Sequence, residues 1–112
     1  MEPGPQPAAG EARLPASTSG SVVLEVGGDV GALIVAADGD RCGQEIELVP
    51  LAAARPLTHT EVRERLLPGG PVYAAVFPAI PSGVYHLRAA DGAEAPVVIA
   101  GGEVTSAAWP TR

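Results

Sequence analysis

The sequence predicts an all-β domain, an antiparallel sandwich of seven or eight strands behind an N-terminal tail. Turn signals recur at short, fairly even spacing: Gly27-Gly28-Asp29, Asp38-Gly39-Asp40, Pro68-Gly69-Gly70-Pro71, Pro81-Ser82-Gly83, Asp91-Gly92 and Gly101-Gly102. Glycine supplies positive φ without steric cost, proline pre-sets φ, and aspartate tolerates the left-handed region. Between these signals lie strand-length runs rich in Val, Ile, Leu and Tyr, the pattern of a sandwich or barrel. Most informative is Val76-Phe77-Pro78-Ala79-Ile80-Pro81-Ser82-Gly83-Val84-Tyr85-His86-Leu87: an apolar strand, a Pro/Gly corner, and a second strand restarting at Gly83.

The expected strands cover residues 22–26, 30–37, 44–49, 59–66, 72–77, 84–89, 95–100 and 103–109. In the third, Ile46 and Leu48 face one way while Glu45 and Glu47 face the other. In the sixth, Tyr85 and Leu87 oppose His86 and Arg88. The run Gly31-Ala32-Leu33-Ile34-Val35-Ala36 is apolar on both faces, which suits a central strand. Residues 58–67 fit two templates. Thr58 could cap a short helix, with Glu61 completing a capping box and Pro68-Gly69 stopping it. As a strand, the segment puts Thr60, Val62 and Leu66 inward and His59, Glu61, Arg63 and Arg65 outward, with Glu64 on the wrong face. The strand is preferred because every flanking segment is a strand.

Residues 1–20 form a Pro/Gly/Ala/Ser-rich tail without apolar periodicity, expected to be disordered, and the folded domain is assigned to residues 21–110. The tail has no basic or apolar region of a targeting signal, and no apolar run approaches the ~20 residues that span a bilayer. The single cysteine, Cys42, cannot form an intrachain disulfide, so a cytoplasmic, reducing location is expected. A net charge of -6 argues against binding a phosphate backbone, which needs a clustered basic face. All seven basic residues are arginine, and lysine and asparagine are absent, which has the look of codon bias in a GC-rich genome.

The corner over 77–87, followed by Pro96-Val97-Val98-Ile99-Ala100-Gly101-Gly102-Glu103-Val104-Thr105, resembles the closing half of prealbumin-like domains, the transthyretin-like and carboxypeptidase regulatory-like modules. Glu25-Val26-Gly27-Gly28-Asp29-Val30-Gly31-Ala32-Leu33, Gln44-Glu45-Ile46-Glu47, Val62-Arg63-Glu64-Arg65 and Tyr73-Ala74-Ala75-Val76-Phe77-Pro78 are similar to segments of short proteins from high-GC bacteria. The resemblance implies a β-sandwich and names no activity, since function lives in sites grafted on folds. Some chains of this kind carry a phospholipase label, for which this sequence offers no motif.

Catalytic chemistry finds little material. There is no G-x-S-x-G elbow; Ser17, Ser19 and Ser21 belong to or adjoin the tail, Ser82 to the corner and Ser106 to the last strand. Cys42 has no neighbouring histidine and reads as a bland, partly buried thiol. Without C-x-x-C or H-x-x-x-H spacing, a zinc or copper site would need His59 and Glu61 to meet His86 across a sheet; two exposed imidazoles are the plainer reading. Asp38-Gly39-Asp40 lacks the further oxygens of a calcium loop and reads as a hairpin turn, and Gly27-Gly28-Asp29-Val30-Gly31 lacks the lysine and helix of a phosphate loop. No cofactor or metal is expected. Surface recognition remains, with His59, Glu61, Arg63, Arg65 and His86 as candidate contacts, and with Trp109 either covering the open end of the sandwich or anchoring a partner.

The expected function is a small non-catalytic binding or accessory module working through contacts with another protein. A small-ligand or carbohydrate binder is the alternative, weakened by the scarcity of aromatic side chains, and a hydrolase comes third. Deleting residues 1–19 is expected to leave the melting temperature within about 5 °C of the full chain, the shift that roughly 1 kcal/mol produces in a domain of this size. Differential scanning calorimetry of the two chains checks it.

Overall fold

A computed structural model describes residues 24–111. The tail at 1–20, Ser21, and residues 22 and 23 of the first expected strand lie outside the described residues. The rest of that strand, residues 24–26, adopts no sheet structure; only a bridge between Gly27 and Val30 marks the turn that follows it.

The described residues form eight strands: β1 (Val30–Ala37), β2 (Glu45–Pro50), β3 (Thr58–Glu61), β4 (Arg63–Leu67), β5 (Gly70–Pro81), β6 (Gly83–Ala89), β7 (Glu94–Ile99) and β8 (Val104–Ala108). They make two four-stranded sheets, ordered β4-β5-β1-β8 and β3-β2-β6-β7. Neighbouring strands are antiparallel except β1 and β8, which run parallel. The hairpins β2–β3 and β6–β7 belong to one sheet and β4–β5 to the other, so the chain changes sheets four times.

One core joins the two sheets. Leu33 and Val35 of β1 and Ala75 and Phe77 of β5 meet Ile46 and Leu48 of β2, Leu87 of β6 and Ile99 of β7. The expected inward sets of β2 and β6 are therefore the observed ones. The all-apolar run is β1, a central strand as expected, flanked by β5 and β8. A Cβ on Gly31 would collide with the Ala100 carbonyl and approach Ile99, so only glycine lets the β7–β8 connection lie this close to β1.

The contested segment 58–67 is extended throughout, but it is two strands in two sheets. Val62, fully buried, is the sole residue between them. Its N–H donates to the Gln44 carbonyl at 2.9 Å and its carbonyl accepts from the Gly43 N–H at 2.8 Å. Beyond it the inward expectation for Leu66 fails, because Leu66 sits on an edge strand opposite Pro71 and is exposed. Arg65, expected outward in solvent, is buried. Glu64 sits opposite Tyr73, which packs against the core.

The Pro/Gly corner is tighter than the sequence suggested. β5 continues through Pro78 to Pro81, and Ser82 alone separates it from β6. The register against β1 slips by one residue between Gly31 and Leu33, so Pro78 and Ala79 together oppose Ala32. A bulge tolerates a proline within a strand, because the ladder is interrupted there and the missing N–H costs nothing. The Tyr85 hydroxyl then closes the corner by donating to the Pro81 carbonyl at 2.7 Å, and burial raises the pKa of that phenol.

Tyr85→Phe is expected to cost about 1 kcal/mol, because the Pro81 carbonyl loses its partner. Gly83 has φ +156, and an added Cβ would find 3.5 Å to the Tyr85 ring, so conformation and not space resists a side chain there. Gly83→Val is expected to cost about 1–3 kcal/mol. Urea titration of both variants measures these losses; wild-type midpoints would show that the corner carries no stability.

Candidate functional site

The outer face of the β3-β2-β6-β7 sheet gathers most of the expected contact residues. Alternation puts Ile46, Leu48, Tyr85 and Leu87 into the core, so Glu45, Glu47, Val84, His86 and Arg88 face out. Register then arranges this face in rows across the strands. His59, Glu47, Arg88 and Glu94 form one row, Val49, His86 and Pro96 the next, and Val84 lies opposite Val98 in a third. Leu51 joins the third row through its N–H, which donates to the Val84 carbonyl at 3.0 Å. The face therefore grades from charged to apolar along the strand direction.

The charged end is internally paired. Arg88 donates to Oε1 of Glu47 from Nε at 2.8 Å and from Nη2 at 2.7 Å, and both side chains are about one-third exposed (33% and 38%). His59 Nδ1 lies 3.9 Å from Glu45 Oε1, with both groups well exposed. Arg63 Nη2 donates to Glu61 Oε1 at 3.0 Å across the sheet change. At the apolar end Leu51 is 63% exposed, Val98 62% and Val84 47%. These three residues were missed in the sequence, although the alternation that turned Tyr85 and Leu87 inward also turned Val84 outward.

The expected stripe His59, Glu61, Arg63 and Arg65 is divided. His59 and Glu61 belong to β3 and one sheet, Arg63 and Arg65 to β4 and the other. His59 and His86 share a face but have β2 between them. Two strand spacings, roughly 10 Å, keep their imidazoles from one metal ion. Among the described residues, no group of three or more His, Cys, Asp and Glu side chains is arranged to hold a metal. Asp38 precedes and Asp40 lies within a single 3-10 turn at Gly39–Arg41, which carries the chain from one sheet to the other; the expected hairpin is a crossing. Cys42, expected to be partly buried, is instead exposed and free, because it caps the end of this surface turn.

Trp109 is buried in the core cluster, its backbone N–H donating to the Ala36 carbonyl at 3.1 Å and the Arg41 guanidinium lying 5.1 Å from its ring centroid. The ring covers the core and offers no exposed anchor.

A cleft of about 400 Å³ opens where the two sheets part, between residues 57–60 and 76–81. It exists because β4 pairs with β5 only as far as Ala74, while β3 lies in the other sheet. Thr58, His59 and Thr60 supply its polar wall. Phe77, Tyr85 and Trp109 are buried and Tyr73 packs against the core, so the aromatic rings are committed to stability. Among the described residues, no helix is long and apolar enough to cross a membrane. No protein-family model, curated protein or solved structure matches the chain.

The Glu47–Arg88 pair is about one-third exposed, so its coupling is expected to be about 0.5 kcal/mol at low salt and to fade as ionic strength rises. A double-mutant cycle with Glu47→Ala and Arg88→Ala in urea measures it, and a coupling above about 2 kcal/mol would contradict the solvated geometry.

Proposed function

We propose that this chain is a non-catalytic binding module, a prealbumin-like sandwich that docks another protein on the outer face of its β3-β2-β6-β7 sheet. The observation that carries the reading is the exposed row Leu51, Val84 and Val98, separated from a paired charged row by the single row of Val49, His86 and Pro96. An exposed apolar cluster with polar and charged groups toward its margin fits the apolar-core, polar-rim composition of protein interfaces. Contiguous exposed apolar surface marks interaction sites more often than isolated apolar residues do. The exposed free Cys42 fits a reducing, cytoplasmic setting. The cleft at the sheet seam supports a second reading, a small polar ligand held by Thr58, His59 and Thr60. A carbohydrate is disfavoured there, because the rings on which sugars stack are spent in the core.

Val84→Ser with Val98→Ser is expected to fold, since exposed sheet positions away from special features usually change stability by no more than about 0.5 kcal/mol each. In native extract, the full chain is expected to retain a specific partner that this variant loses by more than tenfold, while Arg63→Ser keeps it. Full recovery by the double variant would place the binding face elsewhere. Saturable small-ligand binding that Thr58→Val and Thr60→Val abolish would favour the cleft.

A further inference from the structure

Arg65 lies on the edge strand β4 opposite Val72, and Arg63 lies opposite Ala74 on the same outer side of the sheet. Arg65 is 4% exposed, and its Nε and Nη1 atoms are buried without a hydrogen-bond partner. A guanidinium cannot escape burial by giving up its proton. Removing it from water is strongly unfavourable unless an opposite charge accepts its hydrogen bonds. Burial first, and repulsion from Arg63 second, lower the pKa of Arg65. Arg63 gives no relief, since it carries the same charge and its own Nη2 is turned to Glu61 at 3.0 Å. Among the described residues, no carboxylate bonds Nε or Nη1 of Arg65.

We propose that Arg65, with Arg63 beside it, binds an oxyanion, a carboxylate or phosphate group, on the outer face of the β4-β5 hairpin. The planar fork of Arg65 matches two oxygens of such a group, and donors already withdrawn from water lose little further hydration on binding. This site is on the opposite sheet from the proposed docking face and does not depend on it. Two sources can supply the group: an anion from solution, or a carboxylate of this chain, Glu2 or Glu11, both outside the described residues.

The test follows the Arg65 Nε–H resonance of the ¹⁵N-labelled full chain, assigned by its loss in Arg65→Met. Inorganic phosphate is expected to shift that resonance saturably, where chloride at equal ionic strength does not. It should also raise the melting temperature of wild type and leave that of Arg65→Met unchanged. If the chain supplies its own carboxylate, phosphate leaves wild type unmoved. Glu2→Gln with Glu11→Gln then shifts the Arg65 resonance and opens the site to phosphate. Should Arg65→Met fail to fold, assignment through Arg65→Lys leaves the wild-type titration intact. An Arg65 resonance indifferent to phosphate in wild type and in the Glu2/Glu11 variant, and unmoved by that variant, overturns the proposal.

Discussion

Two single-residue crossings, Val62 between β3 and β4 and Ser82 between β5 and β6, constrain the rest of this molecule. One residue advances the chain by only about 3.5 Å, whereas packed sheets stand about 10 Å apart. The crossings must therefore lie at corners where the sheets bend toward each other. At one corner Val62 is fully buried and its backbone is held by Gln44 and Gly43. At the other, the bulge at Pro78-Ala79 bends β5, and the Tyr85 hydroxyl ties the far side to Pro81. The cleft belongs to the same geometry. Once β3 has left for the second sheet, no strand among the described residues pairs with the later half of β5 on that side.

Much of the strand pattern was legible in the sequence, and the allocation of strands to sheets was not. The turns at Pro68-Gly69-Gly70-Pro71 and Asp91-Gly92 are hairpins, the latter closed by the Ala93 N–H donating to Asp91 Oδ1 at 2.9 Å. Glycine and proline announce such local geometry in the chain itself. A crossing made by a buried valine carries no comparable mark. Residues 59–66 consequently looked like one strand with a misplaced Glu64, when the segment spans two sheets.

The same distinction governs the candidate surface. Glu47 and Arg88 are 41 residues apart and meet only through the β2–β6 register. Their outward orientation was readable by alternation, but their pairing was not. Trp109 could be placed at the end of the last strand, yet only the structure shows it under the Arg41 guanidinium and inside the core. Arg65 is the largest departure. An arginine among charged neighbours on an edge strand reads as solvated, and nothing local announces its burial.

The parallel pairing of β1 with β8 bears on how the domain comes to be folded. β1 has no sequence-local partner: Leu33 pairs with Phe77 on one side and Thr105 on the other. Its eight residues, VGALIVAA, carry no charge and no proline. A segment of that character is prone to pair with other chains while it waits. During synthesis it emerges long before either neighbour, so both of its edges stay open until the later strands appear. Central placement protects β1 in the finished domain and makes it the last strand to be sheltered on the way there.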